Sequence, residues 1–193
     1  MLIKKECMKW SFLLILISIS ITGCYSQNNP NKTQKDMDSS KKANPVYSNT
    51  DTEKVVLKDE EWKKILDPEV YFIARQKGTE RPYTSKFDNF KEVGVYYCAA
   101  CGNPLFKSDT KFESGCGWPS FYQTVNKAAV IYLPDNTLGM SRTEIECGRC
   151  KAHLGHVFQD GPPPTKLRYC INGVVLDFQK AKDAEDKFNK AVQ

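Results

Sequence analysis

The chain has 193 residues, 40% of them apolar and 11% aromatic, which suits one ordinary globular domain with residues to spare. Its formal charge of +5 comes partly from the first 23 residues, where Lys4, Lys5 and Lys9 stand against Glu6, leaving +3 for the rest. That balance is too small, and basic residues are too little interleaved with aromatics, for a nucleic-acid partner.

The three lysines precede an apolar run from Trp10 to Ile21 and then Thr22-Gly23-Cys24. The run is shorter than the roughly 20 residues a membrane-spanning helix needs, so residues 1–23 read as an export signal rather than as part of the fold. Small residues just before a cysteine resemble a bacterial lipoprotein processing site, which makes Cys24 the lipidated first residue of the mature chain. The alternatives are a plain signal peptide with Cys24 incidental, and a true start at Met8; Cys7 is absent from the mature protein either way. Residues 24–53 are mostly Asn, Ser, Lys, Thr, Gln and Asp. Such a segment has little to bury against its own ordering entropy and is expected to be a flexible tether.

The folded domain is expected over residues 54–193. Trp62, Ile65 and Leu66 share one side of a short helix within Lys58–Leu66. Asp67-Pro68 supplies an N-cap and first position for a second helix running to about Gln76 and closed by Gly78. Short β-rich pieces follow at 93–97, 129–133, 143–146, 157–158, 167–171 and 174–178, separated by Gly and Pro turns. The pattern predicts a mainly β, antiparallel, twisted two-sheet or barrel-like domain with short helices at its N-terminal end. Residues 180–192 suit a charged, weakly apolar helix.

Cys98-x-x-Cys101 and Cys147-x-x-Cys150 are matched pairs 45 residues apart. Two such pairs form the ligand set of a closed, tetrahedral zinc site that pins distant hairpins together. Two disulfides are the alternative for an exported chain. Cys116 and Cys170 remain. On a strand, where the side-chain period is two, Arg168, Cys170 and Asn172 face one way, setting a cation and an amide beside a thiol. Both histidines fall between the second cysteine pair and Cys170.

Several segments together resemble the type B methionine sulfoxide reductases, enzymes that reduce the R epimer of methionine sulfoxide. They are Gly78-Thr79-Glu80-Arg81-Pro82, the two cysteine pairs, the run from Gly115 to Phe121, His153-Leu154-Gly155-His156-Val157-Phe158, Asp160-Gly161-Pro162 and Arg168-Tyr169-Cys170-Ile171-Asn172. The resemblance covers about residues 56–178. It implies that Cys170 attacks the sulfoxide sulfur and becomes a sulfenic acid, and that Cys116 resolves it to a Cys116–Cys170 disulfide. It implies also that Trp118 packs on the substrate methyl group and that Phe158 walls the pocket. His153 and His156 would bind or protonate the sulfoxide oxygen, and Arg168 and Asn172 would steady the thiolate and the histidines. One structural Zn2+ per chain, oxidised proteins or peptides as substrate, a thioredoxin-like electron donor, a lipid anchor facing periplasm or exterior, and a monomer complete the expectation. Gly173 and Lys166 depart from it, standing where relatives often carry Ser and Gly respectively. The rival expectations are a non-catalytic binding module on the same β scaffold and a metal-free, disulfide-stapled surface adhesin.

Overall fold

The computed structural model describes residues 44–181. The export signal, Cys7, Cys24, most of the expected tether and all but the first two residues of the C-terminal helix lie outside them. No helix among the described residues is long and apolar enough to cross a membrane.

Two short helices open the domain. Helix α1 (Asp59–Ile65) carries three acids in its first turn, where the helix dipole favours them, and Glu61 accepts from the Lys58 backbone N–H at 2.8 Å. Its one buried residue is Trp62. Helix α2 (Pro68–Gln76) is capped by Asp67, whose carboxylate accepts from Glu69 N at 3.0 Å, and it buries Ile73 and Ala74. Lys77, not Gly78, takes the left-handed closing conformation, with φ 57°.

Among the described residues, nine strands form two antiparallel sheets. Strands β1 (Gly94–Cys98), β2 (Pro104–Lys107) and β9 (Leu176–Lys180) make one, in the order β2-β1-β9. The other runs β3-β4-β8-β7-β6-β5, from β3 (Lys111–Phe112), β4 (Ser120–Phe121), β5 (Val130–Asp135), β6 (Arg142–Cys147), β7 (His153–Phe158) and β8 (Arg168–Ile171). The mainly β, two-sheet fold with helices at its N-terminal end is what the sequence pattern predicts. An aromatic core built from both sheets holds it together. Phe106 stacks on Phe121 with ring centroids 4.3 Å apart, and Tyr96 meets Phe121 edge-on at 4.9 Å. In β8 the alternation holds: Tyr169 and Ile171 are buried, while Arg168 and Cys170 are partly open.

The folded part begins earlier than Lys54. Residues 44–53, assigned to the tether on composition, run across the cysteine turns as a strap. Asn44 donates to Ala100 O at 2.9 Å, Ser48 N to Cys101 O at 3.0 Å, and Tyr47 Oη to Asp177 at 2.7 Å. Arg149, buried between the second pair of cysteines, donates to the carbonyls of Glu53 at 2.9 Å and Val46 at 3.1 Å, and also to Cys101 O. A polar segment can order in this way because the fold supplies partners for its backbone, which composition does not reveal.

Candidate active site and metal centre

The two cysteine pairs close on one point. Cys98 ends β1 and Cys147 ends β6, and each chain then folds through a tight turn: Gly102 N bonds Cys98 O at 2.7 Å and Lys151 N bonds Cys147 O at 2.9 Å. Gly102 and Lys151 are left-handed, with φ 79° and 59°. All four thiols are buried, and their sulfurs lie within 4.8 Å of one another. The contacts Cys98–Cys150 and Cys101–Cys147 measure 3.8 and 3.7 Å. Sulfurs on a tetrahedral ion with bonds of ~2.3 Å sit about 3.8 Å apart, whereas a disulfide needs ~2.05 Å. The four residues therefore fit a metal ion. With every position taken by sulfur, such an ion would be structural.

The second centre lies on the six-stranded sheet. Strand register sets Cys170 of β8 between Ser120 of β4 and His156 of β7. Gly155 makes the close β7–β8 approach possible, since a side chain there would strike the Cys170 carbonyl. Cys116 comes from the loop before β4, and its sulfur lies 3.4 Å from that of Cys170. Ser114 Oγ donates to Cys116 Sγ at 3.0 Å, and Ser120 Oγ stands 3.5 Å from it.

The two thiols are electrostatically distinct. Burial works against ionisation of Cys116, but the Ser114 and Ser120 hydroxyls outweigh it and bring the pKa down to about 7. Burial pushes Cys170 up to about 12, and the neighbouring Cys116 adds to the rise while Arg168 opposes it. Of the pair, Cys116 ionises the more readily and Cys170 keeps its proton the longer. A resting Cys170 thiolate, the ordinary form of a nucleophilic cysteine, is not what this arrangement favours.

Each histidine is oriented by a carboxylate. His153 Nδ1 meets Glu144 Oε1 at 2.7 Å, and His156 Nε2 meets Asp135 Oδ2 at 2.7 Å. An ionised carboxylate only accepts, so these nitrogens carry the hydrogens, and His153 Nε2 and His156 Nδ1 are left to meet a substrate. The acids are fixed in turn. Lys77 Nζ lies 2.8 Å from Glu144 and 3.1 Å from Glu146, and Arg142 lies 2.6 Å from Asp135. Burial opposes ionisation of Glu144, yet Lys77 and His153 hold its pKa below the usual carboxylate value. The hydroxyl and backbone N–H of Thr137, with His156, keep Asp135 well below its own. His153 is shifted down by burial, against the pull of Glu144, so its neutral form prevails. The two rings stand 5.7 Å apart.

The remaining expected residues divide. Arg168 grips Asp160 with two bonds of 2.9 and 2.8 Å, and its guanidinium lies 4.4 Å over the Phe158 ring. Half-buried Trp118 donates from Nε1 to Glu80 O at 3.2 Å. Asn172 does not continue the stripe of Arg168 and Cys170. Strand β8 ends at Ile171, and the Asn172 amide turns inward to accept from Glu80 N at 3.0 Å and donate to Leu154 O at 3.0 Å. It fixes the chain behind the thiol and makes no hydrogen bond to it. Sequence alone assigns no role to Glu80, Asp135, Glu144 or Ser114. Glu80 is buried, and its carboxylate accepts from Gly173 N at 2.6 Å and Val174 N at 3.0 Å. Of the two departures the structure accounts for Gly173 and leaves Lys166 without a structural reason. Lys166 is left-handed, with φ 57°, the conformation that favours glycine. A side chain at Gly173 would strike the Ser85 hydroxyl.

Residues 66–180, more than half of the chain, match the model of the SelR domain family. A relative from Pseudomonas syringae pv. syringae, strain B728a, named peptide methionine sulfoxide reductase MsrB, is 61% identical over 118 residues, which span 61% of this chain and 90% of that protein. A protein of the same name from Pseudomonas putida strain W619 is 59% identical over 120 residues, 62% of this chain and 90% of its own. Another, from Pseudomonas putida strain KT2440, is 55% identical over 120 residues, covering 62% and 92%. With the cysteine clamp, the paired thiols and the carboxylate-backed histidines all lying within the matched segment, this chain belongs to the SelR domain family.

Proposed function

We propose that the chain reduces methionine-(R)-sulfoxide, mainly in proteins, to methionine by thiol chemistry at Cys170 and Cys116. One observation carries the reading: the two sulfurs stand 3.4 Å apart on a sheet face beside histidines held by carboxylates. The Cys170 sulfur attacks the sulfoxide sulfur as its proton passes to the oxygen. Oxygen transfer leaves methionine and a Cys170 sulfenic acid. His153 and His156 take up the Cys170 proton and pass it to the oxygen, Trp118 receives the methyl group, and Phe158 walls the site under Arg168. Cys116, with its pKa near 7, supplies a thiolate to attack the sulfenic acid, releasing water and forming the Cys116–Cys170 disulfide. The pKa values thus suit Cys116 to the second step, and Cys170 enters the first step by losing its proton to the substrate. A thioredoxin-like dithiol returns both thiols.

Zinc is the ion we assign to Cys98, Cys101, Cys147 and Cys150, since four thiolates in a tetrahedral set select it over oxygen-seeking cations. It pins β1 to β6 and takes no part in the chemistry. The basic start, the apolar run and Cys24 support export and lipid anchoring to a bacterial membrane, with a monomeric domain facing periplasm or exterior. The deciding experiment offers R and S methionine sulfoxide peptides separately to the chain with dithiothreitol. Reduction of the R form alone is expected. A folded, metal-loaded sample that reduces neither would make the domain a binding module.

A further inference from the structure

The loop that carries Cys116 is flanked by two left-handed glycines, Gly115 with φ 71° and Gly117 with φ 91°, so little in its own backbone holds it in place. One residue bridges both glycines. Tyr83 N donates to Gly117 O at 2.6 Å, and Tyr83 Oη donates to Gly115 O at 2.8 Å. Its ring lies against the Gly117 backbone, where an added Cβ would sit 3.1 Å from Tyr83 Cε2. Tyr83 is 67% exposed, so core packing does not explain its position. Tyr83 also has φ 64°, a left-handed conformation that a bulky residue keeps only when its surroundings impose it. A solvent-exposed tyrosine held in a costly backbone conformation, bonded on both sides of one cysteine, is placed to restrain that cysteine.

We propose that Tyr83 is a positioning residue that keeps Cys116 against Cys170 for the disulfide-forming step. The inference rests on the reading of Cys116 and Cys170 as a redox pair. In that step the Cys116 sulfur bonds to the Cys170 sulfur as the S–O bond of the sulfenic acid breaks. The departing hydroxide takes up one proton and leaves as water, and no outside reductant enters until the disulfide is recycled. Without the brace the glycine-flanked loop samples positions from which the sulfur cannot attack, while oxygen transfer to Cys170, on a paired strand, continues.

The test is a competition in the metal-loaded chain. One equivalent of an R-methionine sulfoxide peptide is added with dimedone, which traps sulfenic acids, and the disulfide-to-adduct ratio is read by mass spectrometry. The rate of methionine formation is followed alongside. For Tyr83→Phe, which keeps the ring and loses one hydrogen bond, the ratio is expected to fall roughly 2- to 12-fold, the range one net hydrogen bond supplies. It falls further in Tyr83→Ala, with methionine formation unchanged in both variants. An unchanged ratio in Tyr83→Ala, or an equal slowing of methionine formation and disulfide closure, overturns the proposal. Methionine formation without any disulfide in the unsubstituted chain refutes the redox-pair reading itself, and shows before any variant is made.

Discussion

Arg149 joins the strap to the metal centre, and its removal tests whether residues 44–53 belong to the folded unit. Its side chain is 4% exposed and donates to Glu53 O and Val46 O at 2.9 and 3.1 Å, to Cys101 O, and at a longer 3.4 Å to Ser48 O. The ion pair with Asp51 adds little, because that carboxylate is solvent-exposed and its charge is screened. In Arg149→Ala three good charged donor bonds vanish, and the Cys101 carbonyl stays buried under the strap without its strongest donor. The loss is about 3–5 kcal/mol, the usual consequence of taking one partner from a buried charged network. Against a total of roughly 5–15 kcal/mol this is a large share. Urea unfolding at fixed metal concentration should show the midpoint falling by about 2 M at an m-value near 2 kcal/mol per M. Arg149→Lys should recover little, since a point charge cannot reach carbonyls on several sides. Asp51→Asn should leave the midpoint unchanged. A drop below about 1 kcal/mol in Arg149→Ala would mean that the strap lies on the domain without contributing to it.

Cys170→Ser is expected to abolish turnover, and repeated turnovers by that variant, measured as methionine released per enzyme, would remove Cys170 as the nucleophile. Cys116→Ser should reduce about one equivalent of sulfoxide and then stall with a recycling dithiol too bulky to reach the sulfenic acid. The thiol pair sets a pH dependence. Ionisation of Cys116 follows a pKa near 7, so its iodoacetamide labelling should rise with pH around a midpoint close to 7 and be nearly complete a unit above it. In Cys116→Ser the like charge beside Cys170 is gone, and Cys170 should titrate below the value of about 12 it has beside Cys116; an unchanged midpoint would assign its elevation to burial alone. Cys98→Ser should lose metal and structure together, followed by metal content and circular dichroism, because binding free energy at such a site is folding free energy. A variant that stays folded without metal would remove the structural role.

How far the site could be read from the chain depended on whether its parts lie close together in sequence. The two Cys-x-x-Cys turns are local, and their geometry follows from spacing. The β8 stripe is legible for Arg168 and Cys170 because a period of two is a property of any strand; it failed at Asn172, where the strand had already ended. Strand β7 shows only two residues of strand pattern in the sequence and is six long, since Gly155 interrupts the branched-residue pattern even though its small size is what lets β7 approach β8. The two-residue strands β3 and β4 have no periodicity to detect and exist because neighbouring strands pair with them. Asp135 and Glu144 were invisible for a related reason. They lie 21 and 9 residues from the histidines they orient, and only antiparallel pairing of β5, β6 and β7 brings them there. Chemistry carried by a motif is therefore visible early, whereas the groups that orient and tune it are assembled by sheet register. In this chain that second set includes Glu80, Glu144 and Asp135, which fix the site without being placed on either sulfur, and Ser114, which bonds the Cys116 sulfur directly.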